Sequence, residues 1–229
     1  MKARHGYDAL TLSCYRTIMR TLALVTQKGG AGKTTIAATI AVAAMETGER
    51  VIALDLDPQG SLAAWGHDRE ADAPTVDALP ADKVAQLPQV LAALEKQGFT
   101  LAILDCAGIV STATNLAIKA ADLCLIPTRP TRLDIRATKP TIQALMSLKS
   151  PFAFILNQCP PTPRGGRAAE AAEGLSLLGA LLEPKVTQRA DFQDALAAGQ
   201  GVTEYAPHGK AADEARLLWQ NINRRMKGK

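Results

Sequence analysis

The chain has 229 residues, of which 47% are apolar, 21% charged and 4% aromatic. That balance suits one soluble α/β domain and argues against a disordered tail, a membrane protein and an aromatic-rich β-sandwich. The net charge of +4 is too small to indicate a nucleic-acid binder by itself, but it is unevenly spread. Lys210, Arg216, Arg224, Arg225, Lys227 and Lys229 face only Asp213 and Glu214 in the tail, residues 1–20 are also basic, and the middle is acidic in balance.

Taken in chain order, residues 1–20 read as an extension outside the fold, and residues 21–229 as a single domain. Residues 21–26 (TLALVT) form a short apolar run, followed by a glycine cluster and an alanine-rich helical stretch over 33–46 that Gly48 ends. Residues 50–54 (RVIAL) repeat the strand pattern and close on Asp55 and Asp57. A variable stretch with Pro74, Pro80 and Pro88 holds short helical pieces. Further apolar runs at 101–104, 123–126 and 152–156 stop at Asp105, Pro127 and Asn157. Helical segments fall near 112–121, 134–148 and 167–178. Continuous apolar strands alternating with helices predict a mostly parallel central sheet covered by helices on both faces, a three-layer Rossmann-like arrangement that binds ligands at the carboxyl ends of its strands.

Cys14, Cys106, Cys124 and Cys159 stand alone, without a CxxC pair or a histidine at ligand spacing, so neither a zinc site nor a disulfide framework is supported. The first twenty residues lack the hydrophobic core of a secretory signal, and no apolar stretch is long enough to span a bilayer. A reduced cytoplasmic setting is expected.

The informative segment is Gln27-Lys28-Gly29-Gly30-Ala31-Gly32-Lys33-Thr34-Thr35, between a predicted strand and a predicted helix. Glycines let the backbone wrap a phosphate chain closely, and the following helix start adds partial positive charge. Lys33 can reach the terminal phosphates and the Thr34 hydroxyl can ligate Mg²⁺. The usual phosphate-loop pattern, GxxxxGK followed by Ser or Thr, wants glycine where Gln27 stands, and Lys28 adds a second lysine early in the loop.

This KGGxGKTT variant resembles the deviant Walker A box of the ParA/MinD family of P-loop ATPases, and within it the short plasmid-type ParA proteins. The resemblance implies ATP and Mg²⁺ as cofactors, with Lys28, Gly29, Gly30, Ala31, Gly32, Lys33, Thr34 and Thr35 around the phosphates. Lys28 would cross to the ATP of a facing subunit in a nucleotide-sandwich homodimer. Asp55-Leu56-Asp57-Pro58-Gln59 resembles the family's DxDPQ segment, which gives Asp57 the role of orienting the attacking water beside the catalytic Lys28 and Lys33. Asp105 ends a Walker B-like strand and would hold Mg²⁺ with Thr34. The chain has Asp105-Cys106-Ala107-Gly108 where many relatives continue Asp-x-Pro-Pro, with Cys106 read as a small filler and Gly108 as a source of backbone freedom. Asn157 would read the adenine edge, and the segment from Pro127 to Asp134 would line the nucleotide and dimer face.

The resemblance further implies a nucleoid-associated switch for plasmid or chromosome partition. It would bind DNA without sequence preference as the ATP dimer and be released when a ParB-type adaptor stimulates hydrolysis. Lys185, Arg189, Lys210, Arg216, Arg224 and Arg225 are the candidate DNA contacts, Arg189 first. Positioning of another cargo is an alternative. A MinD-like membrane helix is a weaker one, because Leu218, Trp219, Ile222 and Met226 in the last helix read as a core-facing stripe and no membrane partner is expected. A metabolic enzyme sharing the loop would need a substrate pocket, and the sequence gives no sign of one.

Overall fold

The computed structural model describes residues 18–109, 111–162 and 166–228. Seven strands form one sheet in the order β3-β2-β4-β1-β5-β6-β7, every pair parallel. They are β1 Arg20–Leu24, β2 Val51–Leu56, β3 Thr75–Ala78, β4 Leu101–Cys106, β5 Leu123–Thr128, β6 Phe152–Leu156 and β7 Ala180–Leu182. The helices are α1 Lys33–Met45, α2 Ser61–His67, α3 Leu87–Lys96, α4 Thr112–Ala120, α5 Arg132–Ala137, α6 Lys139–Ser147, α7 Arg167–Ser176, α8 Ala190–Ala197, α9 Val202–Tyr205 and α10 Lys210–Met226, with a 3-10 turn at Val84–Gln86.

Strand side chains alternate between two cores, as the period of two requires. Leu22 and Leu24 of β1 join one core with α1, α2, α8, α9 and α10, whereas Ala23 and Val25 join the other with α3, α4, α6 and α7. The expected three layers are therefore present. Helix α1 is buried over most of its length, and its alanines let β1, β4 and α10 approach closely on different sides. The α10 stripe serves the core: Leu218, Trp219 and Ile222 are fully buried, and the Trp219 indole donates to the Thr47 hydroxyl at 2.8 Å. Burial of this kind is worth about 1.5–3 kcal/mol per large side chain. The apolar face that a membrane-lying helix would need is thus already covered. Among the described residues, no helix is long and apolar enough to cross a membrane.

The structure departs from the sequence expectations at several points. Arg20 belongs to β1, and its guanidinium pairs with Glu49 and Asn223, so the fold begins before residue 21. Residues 1–17 of the expected extension, with Cys14, lie outside the described residues. The single helix expected over 134–148 is two. Thr131 caps α5 by accepting from the Asp134 amide at 3.1 Å, and Pro140, which has no N–H, sits in the first turn of α6 just past the junction at Thr138. The two edge strands β3 and β7 have no counterpart in the sequence reading. β3 is largely exposed, and β7 follows so closely on Leu177 and Leu178 that the helical pattern of α7 runs into it.

Candidate functional site

The strands deliver their polar termini to one edge, where β1, β2, β4, β5 and β6 end near the loop of residues 27–35. Gly30 and Gly32 hold left-handed conformations, φ 73° and 89°, which turn the loop's backbone N–H groups inward before α1. Gly32 is the N-cap of α1 and offers no side-chain oxygen, and the first turn carries no acid. The orphan donors of that helix start are consequently left for an anion. Lys33 is only 9% exposed and forms no ion pair among the described residues.

Two residues brace this loop from the end of β6. The Asn157 amide donates to the Ala31 carbonyl at 2.8 Å, and the Gln158 amide donates to the Gly30 carbonyl at 3.1 Å. A Cβ on Gly32 would collide with the Asn157 amide nitrogen. The role expected for Asn157 therefore changes in part: its N–H₂ group supports the loop, which leaves its oxygen to face a base. Sequence reasoning missed Gln158, although two adjacent side-chain amides at a strand end were a legible signal. Both residues line a small cavity of about 90 Å³ with Thr35, Gln188, Arg189 and Phe192, beside the start of α1.

Asp105 is buried at the end of β4. One carboxylate oxygen accepts from the Thr34 hydroxyl at 2.6 Å, and the other is buried without a partner. Burial is the main cause that raises its pKa to about 7, against the lowering effect of the Thr34 bond, while the nearby Asp55 pushes it up further. An orphaned carboxylate oxygen next to a threonine hydroxyl is the oxygen donor set that a hard divalent cation takes, so the residues present fit Mg²⁺. Bound there, the ion would neutralise charge on the terminal phosphates.

Asp55 within β2 and Asp57 just after it are bonded differently. Asp55 accepts from the Asp57, Leu62 and Ala63 amides at 2.9, 2.8 and 2.9 Å, and so caps α2. Asp57 is half-buried, and one of its oxygens accepts from the Gln59 amide at 3.1 Å. Gly108 does not occupy the left-handed region, and a Cβ there would stand at ordinary contact distance, 3.4 Å from the Lys33 amine and 3.7 Å from the Gly29 nitrogen. Cys106 is buried against the sheet, and burial first, then the neighbouring Asp105, pushes its thiol well above the ordinary range, as a filler requires.

Lys28 does not turn into the cradle of its own loop. Its amine pairs with Asp134 on α5, which also binds the Arg129 guanidinium and the Thr131 hydroxyl. Burial works to raise the Asp134 carboxyl, but hydrogen bonds from Lys28, Thr131 and Arg129 outweigh it and hold its pKa below the usual carboxylate range. Leu133 beside it is 72% exposed.

The family model for the CobQ/CobB/MinD/ParA nucleotide binding domain matches residues 22–201. The chain belongs to that family. It is 33% identical to the maintenance of carboxysome distribution protein A of Halothiobacillus neapolitanus over 88% of this chain and 95% of that protein. It is 31% identical to a ParA protein of Rhizobium radiobacter over 56% of each. The apo structure of McdA from Cyanothece superposes with a TM-score of 0.73 at 18% identity, covering 89% of this chain and 99% of that one, which is a likeness of fold. The ParA/MinD-type nucleotide-binding loop of this family member is the segment whose geometry is given above.

Two of the six basic candidates are paired with carboxylates. Arg189 pairs with Glu214 at 2.8 Å, and Glu214 also accepts from the Thr187 amide and hydroxyl; Arg216 pairs with Glu46 at 2.7 Å. Arg224 donates to Asn221 at 3.1 Å, while Lys185, Lys210 and Arg225 form no ion pair among the described residues. Arg224 and Arg225 directly follow the Asn223 that Arg20 binds, at the amino edge of the sheet. Lys210 opens the same helix about 21 Å away at 1.5 Å per residue. Cys106, Cys124 and Cys159 are buried; burial pushes the Cys124 thiol up to about 12 and the Cys159 thiol up to about 11.

Proposed function

We propose that this ParA/MinD-type protein is a positioning ATPase: it binds ATP with Mg²⁺, closes face to face with a second copy, and opens on hydrolysis. The orientation of Lys28 carries this reading. A loop lysine that turns away from its own phosphate cradle and stands half-exposed beside Leu133 is available to a facing nucleotide. In this reading Lys33 and the loop amides hold the phosphates, and Thr34 and Asp105 hold the cation. Asp57 orients the attacking water, the chemistry being mostly positioning and charge neutralisation. The Asn157 oxygen, an acceptor only, favours an amino-bearing purine such as adenine.

For cargo, we favour a protein-bound body such as the carboxysome over a plasmid or chromosome. The support is the extent of the match: nearly all of the carboxysome-distribution relative is covered, against 56% of the Rhizobium ParA protein. The partner in this reading is an adaptor on the cargo, and the track is nucleoid DNA held by Lys185, Lys210, Arg224 and Arg225, the basic candidates that no carboxylate neutralises. Plasmid partition through a ParB-type adaptor is the second reading, favoured by the ParA relatives. The test is DNA retention and ATP turnover measured together with ATP, ADP or no nucleotide over a salt series. Retention in ATP alone, with a salt slope that falls by about 1 for each lysine or arginine removed, is expected. Equal retention in ATP and ADP would overturn the switch.

A further inference from the structure

Gln158 holds a left-handed backbone, φ 54°, two residues past the end of β6 and next to the phosphate loop. Glycine and asparagine take that conformation more readily than glutamine does. Its neighbours impose it from both sides. The Asn157 backbone N–H donates to the Thr128 carbonyl at 2.8 Å. The Cys159 backbone N–H donates to the Val186 carbonyl at 2.9 Å, and the Cys159 carbonyl accepts from the Gln188 amide at 2.8 Å. Residue 158 therefore turns between two fixed points. A strained conformation persists where its surroundings over-determine it, and such places cluster at ligand sites.

From this turn the Gln158 side-chain amide donates to the Gly30 carbonyl at 3.1 Å, one residue before the Ala31 carbonyl that the Asn157 side chain binds. A trans peptide is planar, with its C=O and N–H on opposite sides. The peptides on either side of Ala31 are both trans, so each carbonyl drawn toward residues 157 and 158 points the next N–H the other way. Gln158 thus aims the Ala31 N–H, and Asn157 aims the Gly32 N–H. The first of these two peptides has the weaker hold. Gly30 has no side chain and open space around it, with nothing within 4 Å of a Cβ built there, so no steric barrier keeps that peptide from rotating. Gln158 is the brace that does.

We propose that Gln158 is a positioning residue for nucleotide binding: it fixes the Gly30–Ala31 peptide so that the Ala31 N–H is turned toward the phosphate chain before the nucleotide arrives. The inference rests on the reading of residues 27–35 as a phosphate cradle. A donor already oriented has less freedom to lose on binding, which raises affinity without a new contact. Gln158 also lines the 90 Å³ cavity, but its amide donor is committed to Gly30, so its effect belongs to the phosphates and is indifferent to the base.

The test uses the full chain as Gln158→Gly, which suits φ 54° and removes the amide, and as Gln158→Glu, which sets a carboxylate against the Gly30 carbonyl. Either variant suffices if the other fails to fold. Affinities for ATP and GTP are read by displacement of a fluorescent ATP analogue, KM and saturated turnover by phosphate release, and stability by urea unfolding without nucleotide. Loss of one side-chain hydrogen bond to the backbone predicts ATP affinity about three- to tenfold weaker in the glycine variant, and at least as weak in the glutamate variant. GTP affinity should fall by the same factor, and KM should rise while saturated turnover stays within about twofold. The glycine variant should unfold at no lower urea concentration than the wild type, because its left-handed turn is relieved. Unchanged ATP affinity in the folded variants would overturn the proposal, as would a loss confined to ATP, which would make Gln158 a reader of the base. A lower urea midpoint accompanying weaker binding in the glycine variant would also overturn it, as a general loss of structure. A wild type that binds no nucleotide would instead bring down the phosphate-cradle reading and this proposal together.

Discussion

Asp134→Asn should strengthen ATP-dependent dimerisation. In the single protomer the Lys28 amine is held by Asp134, whose side chain is 4% exposed while that of Lys28 is 31% exposed. An ion pair so open to water on one side is worth about 1 kcal/mol after screening. A dimer in which both lysines cross must break two of them, about 2 kcal/mol, which is roughly 30-fold in the dimer Kd. Asparagine keeps the size of the side chain and one oxygen for Arg129, and the Thr131 hydroxyl still accepts from the residue 134 amide, so α5 retains its cap. Because the Asp134 pKa is depressed, its contribution to stability is full above the ordinary carboxylate value, about 3.9, and is lost as pH falls through the lowered one. The variant should therefore be slightly less stable near neutral pH, and the difference should vanish in acid. Analytical ultracentrifugation in ATP and Mg²⁺ gives the dimer constant. A Kd unchanged within twofold, or a weaker dimer, would refute the claim that this pair restrains Lys28.

Asp57→Ala should bind ATP with near wild-type affinity but turn it over at least about a hundredfold more slowly, measured by phosphate release; undiminished turnover would remove Asp57 from the chemistry. Gly32→Ala should fold normally by circular dichroism yet lose at least tenfold in ATP affinity by calorimetry, since φ 89° costs an L-residue about 1–2 kcal/mol and the new Cβ strikes the Asn157 amide. Trp219→Ala should lose about 3–5 kcal/mol of stability in urea unfolding, because the ring is fully buried and its indole N–H is bonded to Thr47. A loss below about 1 kcal/mol would place α10 outside the core.

The buried strands and the phosphate loop were legible because each is encoded locally. An apolar run such as residues 152–156, short and bounded by Pro151 and Asn157, reads as a covered strand, and the glycines with Lys33 and Thr34 supply their own physical reason. What sequence withheld depends on distant partners. Nothing near Lys28 in the chain announces Asp134, and nothing near Arg189 announces Glu214, which turns the first candidate for DNA contact into a neutralised clamp. The same holds for Asn157, whose donors go to a carbonyl of the loop far behind it in sequence. Edge strands β3 and β7 escaped because an edge needs little apolar character.

The central claim is that ATP joins two copies through Lys28. Light scattering coupled to size exclusion tests it directly, with wild type and Lys28→Ala in ATP and Mg²⁺ and with wild type in ADP. A doubled mass for the wild type in ATP, and a single protomer in the other two samples, is the predicted result. A wild-type protomer that stays single in saturating ATP and Mg²⁺, or a Lys28→Ala protein that dimerises as well as the wild type, would contradict the account.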